Sequence, residues 1–184
     1  CALPICSGKS FVVFDGKESE KHDSVGLFLL SYDSKHMAYT ASEKGKWFVV
    51  LDGKKGPSFD NMAIPRFSPD SSRLAYVAVK KGKHVLMVDD KQVGGEYDFT
   101  QYLIFSPDSK HVIITAKRGN KWFSVIDGVE GKKYDALTFP GYSPDGKHMV
   151  YAVNENKKNS LIIDEKEYPQ YDGVMLPVFS RDSN

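Results

Sequence analysis

Histidine and aspartate are the side chains here with the most catalytic and metal-binding potential, and both recur at fixed positions. His36, His111 and His148 share one repeat position, where Arg73 stands in the second repeat. His84 takes the slot of Trp47 and Trp122, and His22 that of Tyr97 and Tyr134. Imidazole titrates near neutral pH and ligates metals, so a shared centre would need several of these rings to converge. Equivalent positions on successive repeats are held apart, and no histidine is out of register. A catalytic residue in a repeat protein usually breaks the repeat. The histidines are therefore read as structural or surface residues.

The aspartates fall into three series. Asp33, Asp70, Asp108, Asp145 and Asp182 sit in turns, where a short carboxylate bonds nearby backbone. Asp15, Asp52, Asp89, Asp127 and Asp164 end strands and are followed at three places by Gly16, Gly53 and Gly128. Asp23, Asp60, Asp98, Asp135 and Asp172 precede the loop to the next innermost strand, and bonding of loop N–H groups is expected of them. The functional alternative is a ring of carboxylates holding a cation such as calcium. Calcium loops, however, gather several oxygens within one short segment, and no such segment occurs. Zinc-ligand spacing, a phosphate-cradling glycine loop and a nucleophile elbow are also missing. Glycoside hydrolysis needs a carboxylate pair, and none stands out from the repeat. The expectation is a chain with no metal, no cofactor and no catalytic residue, not an enzyme.

Two features lean toward binding. Lys9, Lys44, Lys46, Lys80, Lys81, Lys83, Lys117, Arg118, Lys121, Lys157 and Lys158 cluster in the loops between second and third strands, eleven cations against Glu43 and Glu155. These loops emerge on one face, which could attract an anionic glycan or an acidic protein. The plainer alternative is that lysines solvate the loops and discourage edge pairing. Trp47, His84 and Trp122 start third strands beside the loops, with Ser10 and Ser160 in the remaining slots. Arg66 is the one charge at a position shared by Leu29, Ile104, Gly141 and Val178. The candidate ligand-binding residues are thus Trp47, His84, Trp122, Arg66, Lys80, Lys81, Lys83 and Arg118.

The elements that must position these residues follow a strict period. Phe105-Ser106-Pro107-Asp108-Ser109 recurs as Phe67-Ser68-Pro69-Asp70-Ser71, Tyr142-Ser143-Pro144-Asp145-Gly146 and Phe179-Ser180-Arg181-Asp182-Ser183, with a worn copy at Leu30-Ser31-Tyr32-Asp33-Ser34. Between the serines at 31, 68, 106, 143 and 180 the steps are 37, 38, 37 and 37 residues. A fixed period of this size marks a repeat architecture. Each period reads as four strands. In the second, residues 62–68, 73–79 and 84–89 are strands, and a fourth ends at Tyr97. Asp-Gly in sister repeats is a hairpin signal. No window has a 3.6-residue apolar period, so no helix is expected. Runs such as Phe48-Val49-Val50-Leu51 and Val112-Ile113-Ile114 are apolar on both faces, so each sheet must be covered on both sides. A radial ring of small sheets meets that demand.

The F-S-P-D-[SG] turn, the A-Y strand after it, the polar G-K loop and the strand ending in D-G resemble the WD-repeat-like propeller blades of TolB and of many bacterial surface and periplasmic proteins. The Trp-Asp signature of eukaryotic WD repeats is absent. The expected fold is an all-β propeller of five four-stranded blades, closed by pairing of a strand near 174–180 with one near 1–6. The rival is a fragment of a larger propeller. Repeats are placed at 24–60, 61–98, 99–135 and 136–172 of a single domain, with a closing blade from 173–184 and 1–23.

Composition narrows the function. The formal net charge is +1, which argues against nucleic acid as partner. No apolar run approaches ~18 residues, so no membrane span is expected. Cys1 and Cys6 could pair, stay free or, for Cys1, carry a lipid. The first residue is not Met, so a processed product or fragment is expected. The resemblance implies a periplasmic, cell-surface or secreted bacterial protein. The reading is a monomeric, non-enzymatic scaffold for protein or ligand binding. Its alternative is a lectin-like ring binding anionic polysaccharide multivalently.

Overall fold

In a computed structural model, the structure describes residues 5–6, 8–168, 171–173 and 179. The chain forms two compact units, residues 1–92 and 93–184. Among the described residues every regular element is a strand.

The first unit opens with two short hairpins, Ile5–Cys6 with Lys9–Ser10 and Val13–Phe14 with Lys17–Glu18. A four-stranded antiparallel sheet follows, in the order Ser24–Leu30, Met37–Glu43, Lys46–Leu51, Lys54–Lys55. In the next sheet Leu74–Lys80 pairs with Lys83–Val88 on one side and with Asn61–Met62 and Arg66–Phe67 on the other. The strand Lys91–Tyr97 runs across the boundary of the units. The second unit holds a sheet of Phe99–Phe105, Val112–Arg118, Lys121–Ile126 and Val129–Glu130. Its other sheet pairs Met149–Glu155 with Lys158–Ile163, which in turn pairs with Lys166–Glu167. Ala136–Leu137 and Gly141–Tyr142 lie on the far side of Met149–Glu155.

Turn chemistry sets these strands. Ser68 Oγ donates to Asp70 Oδ1 at 2.6 Å and accepts from Arg73 N–H at 3.0 Å. The same pair of bonds is made by Ser31, Ser106 and Ser143, all buried. In the first unit Asp33 N–H also donates to Ser71 Oγ at 3.0 Å, tying one turn to the next. At the opposite corner of the sheet, Asp52 and Gly53 have φ of 49° and 79°, the type I′ geometry that suits a two-residue hairpin. Asp89 and Asp90 adopt the same turn without glycine, at φ of 49° and 60°.

The first strand of each sheet departs from the expected continuous run. Residues 62–68 break into Asn61–Met62 and Arg66–Phe67 because Pro65 has no N–H to give the ladder. Pro140 breaks the fourth sheet in the same way. The first and third sheets lack that proline. Their strands run on but slip register between Val25 and Phe28 and between Gln101 and Ile104.

The cores are apolar on both faces of the middle strands, as the unalternating runs require. In the first unit Phe59, Phe67, Leu74, Tyr76, Val85 and Met87 form one cluster, and Val12, Tyr39, Phe48 and Val50 another. In the second unit Ile113, Tyr134, Met149, Tyr151, Val153 and Ile162 pack together. Each such side chain contributes about 1.5–3 kcal/mol by leaving water. The proposed seam between 174–180 and 1–6, and the state of Cys1, fall outside the described residues.

Candidate functional site

At the loop end of the sheets, the aspartates before each first strand are clamps. Asp60 Oδ1 receives Lys46 Nζ, and its Oδ2 accepts from Lys81 N–H at 2.7 Å. Asp23 takes Lys9 Nζ and Lys44 N–H in the same way, and Asp135 takes Lys121 Nζ and Asn156 N–H. Asp98 accepts from Gly119 N–H at 2.7 Å. The lysine ammonium first, and the loop N–H second, hold the Asp23, Asp60 and Asp135 carboxyls below the usual carboxylate range. Among the described residues no three His, Cys, Asp or Glu side chains converge to hold a metal.

These clamps redraw the basic face. Lys9, Lys46 and Lys121 are neutralised by them, and Lys158 approaches Asp172 at 3.8 Å. Arg118 is held by both oxygens of Glu130, at 2.8 and 2.7 Å, and donates to Glu96 O. Its guanidinium also lies 5.6 Å from the Tyr97 ring and 5.5 Å from Phe123. Of the residues singled out from sequence, Lys83 and His84 also have partners. Lys80 and Lys81 are exposed and carry no ion pair among the described residues, and Arg66 is likewise exposed and unpaired.

At the turn end, each strand-ending aspartate orients a neighbour. Asp52 accepts from Met37 N–H at 2.9 Å and lies 2.7 Å from His36 Nδ1. His111 with Asp127 and His148 with Asp164 repeat the pair, and Arg73 takes the role beside Asp89. Each histidine is thus engaged within its own sheet.

Trp47 and Trp122 both bridge forward, exchanging backbone hydrogen bonds with Phe59 and Tyr134. The equivalent bridges are Ser10 with His22 and Asn159 with Tyr171. The slot assigned to Ser160 therefore belongs to Asn159, and Ser160 points into the core. Both tryptophan rings lie half-buried against first strands. Trp122 packs edge-on to Phe99 at 6.1 Å, with Lys117 Nζ 5.5 Å from its ring. Trp47 lines a cleft of about 170 Å³ with Leu27, Thr40, Met62 and Ile64. Burial holds the pKa of half-buried His84 below its ordinary value.

That cleft leads to residues the sequence reading passed over. Leu27, Ile64, Tyr102 and Phe139 share one repeat position, two before the Leu29–Arg66–Ile104–Gly141 set. They are 57%, 58%, 42% and 45% exposed, far more than strand residues of this kind in a packed sheet. The register slips eject Leu27 and Tyr102, with Tyr102 at φ of 54°. Pro65 and Pro140 eject Ile64 and Phe139. In the second unit Tyr102 and Phe139 meet edge to face at 5.0 Å. The signal was legible only as four unrelated apolar residues at one repeat step.

Comparison with known proteins defines the class. No family model and no curated protein matches the chain. Solved structures do. TolB from Acinetobacter baumannii matches with a TM-score of 0.51 at 19% identity, over 87% of this chain and 47% of that one. The β-propeller domain of the Trilobed protease from Pyrococcus furiosus matches with a TM-score of 0.56 at 15% identity, over 82% and 57%. Pyrococcus horikoshii acylaminoacyl peptidase gives 0.50 at 13% identity, over 80% and 33%. The chain is a β-propeller repeat protein, TolB-like in fold, and spans about half the length of the TolB structure. The expectation that it is not an enzyme is corrected by these matches, since the same fold occurs in a protease and a peptidase. In-register histidines and aspartates describe the repeats alone and do not set the activity of a protein that contains them.

Proposed function

We propose that this propeller binds an acidic protein partner through the loop end of its sheets and the apolar residues ejected from its first strands. The observation that carries this reading is the exposure, at one repeat position, of Leu27 and Ile64 in the first unit and of Tyr102 and Phe139 in the second. Within each unit the pair lies together, Leu27 and Ile64 around one cleft and Tyr102 and Phe139 ring to ring, and a contiguous exposed apolar patch marks an interaction site. The acidic character of the partner follows from Lys44, Lys80, Lys81, Lys157 and Arg66, whose side-chain cations have no carboxylate partner among the described residues. Trp47 beside Leu27 and Ile64, and Trp122 beside Phe99, add the aromatic contacts that dominate many interfaces. A location in the periplasm, at the cell surface or outside the cell belongs to the same proposal.

The test is retention on an immobilised copolymer of glutamate and tyrosine, and separately on dextran sulfate, as salt is raised. The proposal expects retention on the copolymer, weakened by Lys80→Ser with Lys81→Ser and also by Ile64→Ser. Retention on dextran sulfate alone would favour the lectin-like reading instead. Loss in the lysine variant with none in Ile64→Ser would remove the apolar row from the site. No retention at low salt would overturn both readings.

A further inference from the structure

We infer that the cleft beside Trp47 is a pocket for one branched apolar side chain of a partner together with that residue's backbone carbonyl. The inference rests on the interaction surface proposed above and names what the partner would place in it. The Trp47 ring, Leu27, Met62 and Ile64 supply the apolar walls, and Gly26, Thr40 and Asn61 complete the lining. The volume of about 170 Å³ is the share of roughly five or six waters. That is room for one leucine-sized side chain, well short of a drug-sized ligand.

Thr40 supplies the polar contact. The residue is 7% exposed, and its hydroxyl has no hydrogen-bond partner among the described residues. No fully buried polar atom is orphaned among those residues, so the hydroxyl keeps its accessible surface in the cleft. Gly26 is what leaves it open: a Cβ there would lie 2.3 Å from Thr40 Oγ1 and 3.6 Å from the Trp47 ring. The other sheets show the acceptor that suits this hydroxyl. Thr115 holds the equivalent position in the third sheet and donates to Gln101 O at 3.2 Å, a backbone carbonyl at that sheet's own register slip. Val77 and Ala152 stand there in the second and fourth sheets and have no hydroxyl. The first sheet thus keeps the donor and leaves the carbonyl to come from outside.

The lining favours a neutral peptide group. No Asp, Glu, Lys, Arg or His side chain lines the cleft. Asn61 Oδ1 accepts from Met62 N–H at 2.8 Å, which leaves the Asn61 amide nitrogen as a second donor at the cleft. A branched aliphatic side chain would lie against Trp47, Leu27 and Ile64, with its carbonyl oxygen on Thr40.

N-acetylleucine methylamide, titrated into isotopically labelled protein, tests this directly. Saturable shifts are expected at the signals of Thr40, Ile64 and the Trp47 indole. 3-Methylbutylammonium has the same branched body and no acceptor, and should bind about fivefold more weakly. Thr40→Val, a residue the second repeat already carries as Val77, should weaken the leucine probe by about the same factor. Thr40→Ser keeps the hydroxyl and should stay close to the unaltered protein. No saturation at millimolar probe, equal affinity for the two probes, or unchanged affinity in Thr40→Val would overturn the inference. The comparison of probes needs no variant, so it decides even where Thr40→Val misfolds. Retention on the copolymer separates the two readings: shifts without retention keep the pocket and remove the acidic partner, and retention without shifts keeps the surface and removes the pocket.

Discussion

Ser106 closes its turn with four hydrogen bonds. Its N–H donates to His111 O, its carbonyl accepts from Ser109 N–H, and its hydroxyl donates to Asp108 and accepts from His111 N–H. With no exposed surface at all, it has no water to replace them. Ser106→Ala should cost about 1–3 kcal/mol, the penalty for a buried donor left unsatisfied, measured by urea denaturation. The same change should release Asp108, whose carboxyl is pulled down to about 2, first by Ser106 and then by Lys110 N–H. An NMR titration should find the Asp108 carboxyl moved up toward the usual carboxylate range. This serine was visible in the sequence because turn chemistry is local: Ser, Pro and Asp in order carry their own explanation. The exposed row was not, because Leu27 and Tyr102 are brought out by a register slip and Ile64 and Phe139 by a neighbouring proline, and each of them reads in sequence as an ordinary strand residue.

At the scale of the strand, the apolar patterns and turns predicted second and third strands within a residue or two. The first strands were mispredicted because pairing there is decided by one proline or one slip. Gly26 sits at such a slip. A Cβ built on it would lie 2.3 Å from Thr40 Oγ1, with the Trp47 ring 3.6 Å away. Gly26→Ala should therefore destabilise the first sheet by about 1–3 kcal/mol, the usual range for overpacking. Thr40→Ala should recover much of that loss, since it removes the atom struck. Thermal unfolding of the two single variants and the double variant measures the coupling, and additive losses would show that the slip is held by something else. The ejected Leu27 should gain exposure or reburial with the same change, readable by its methyl signal.

For the molecule as a whole, acid should be the selective denaturant. The Asp33, Asp108 and Asp145 carboxyls are lowered to about 2 by hydrogen bonds from the serine of each turn and then from the backbone of residues 35, 110 and 147. A carboxyl lower in the folded than in the unfolded chain stabilises above its unfolded pKa, near 4, and loses that contribution as pH falls through the folded value. Unfolding temperature should thus hold steady down to about pH 4 and fall between there and pH 2, as calorimetry across that range would show. A decline beginning well above pH 4 would show that these turn carboxyls do not set the acid limit. The loop clamps carry a different consequence. Lys9 and Asp23, Lys46 and Asp60, and Lys121 and Asp135 are each 14 positions apart. Each clamp's loop N–H lies 21 positions on. Bonds fixed by such offsets do not depend on which copy of the repeat they join. A gene that gained or lost one whole period would inherit every clamp intact, and the single step of 38 carries its extra residue between Asp89 and Asp98, where the 21-residue span from Asp98 to the Gly119 N–H is left untouched.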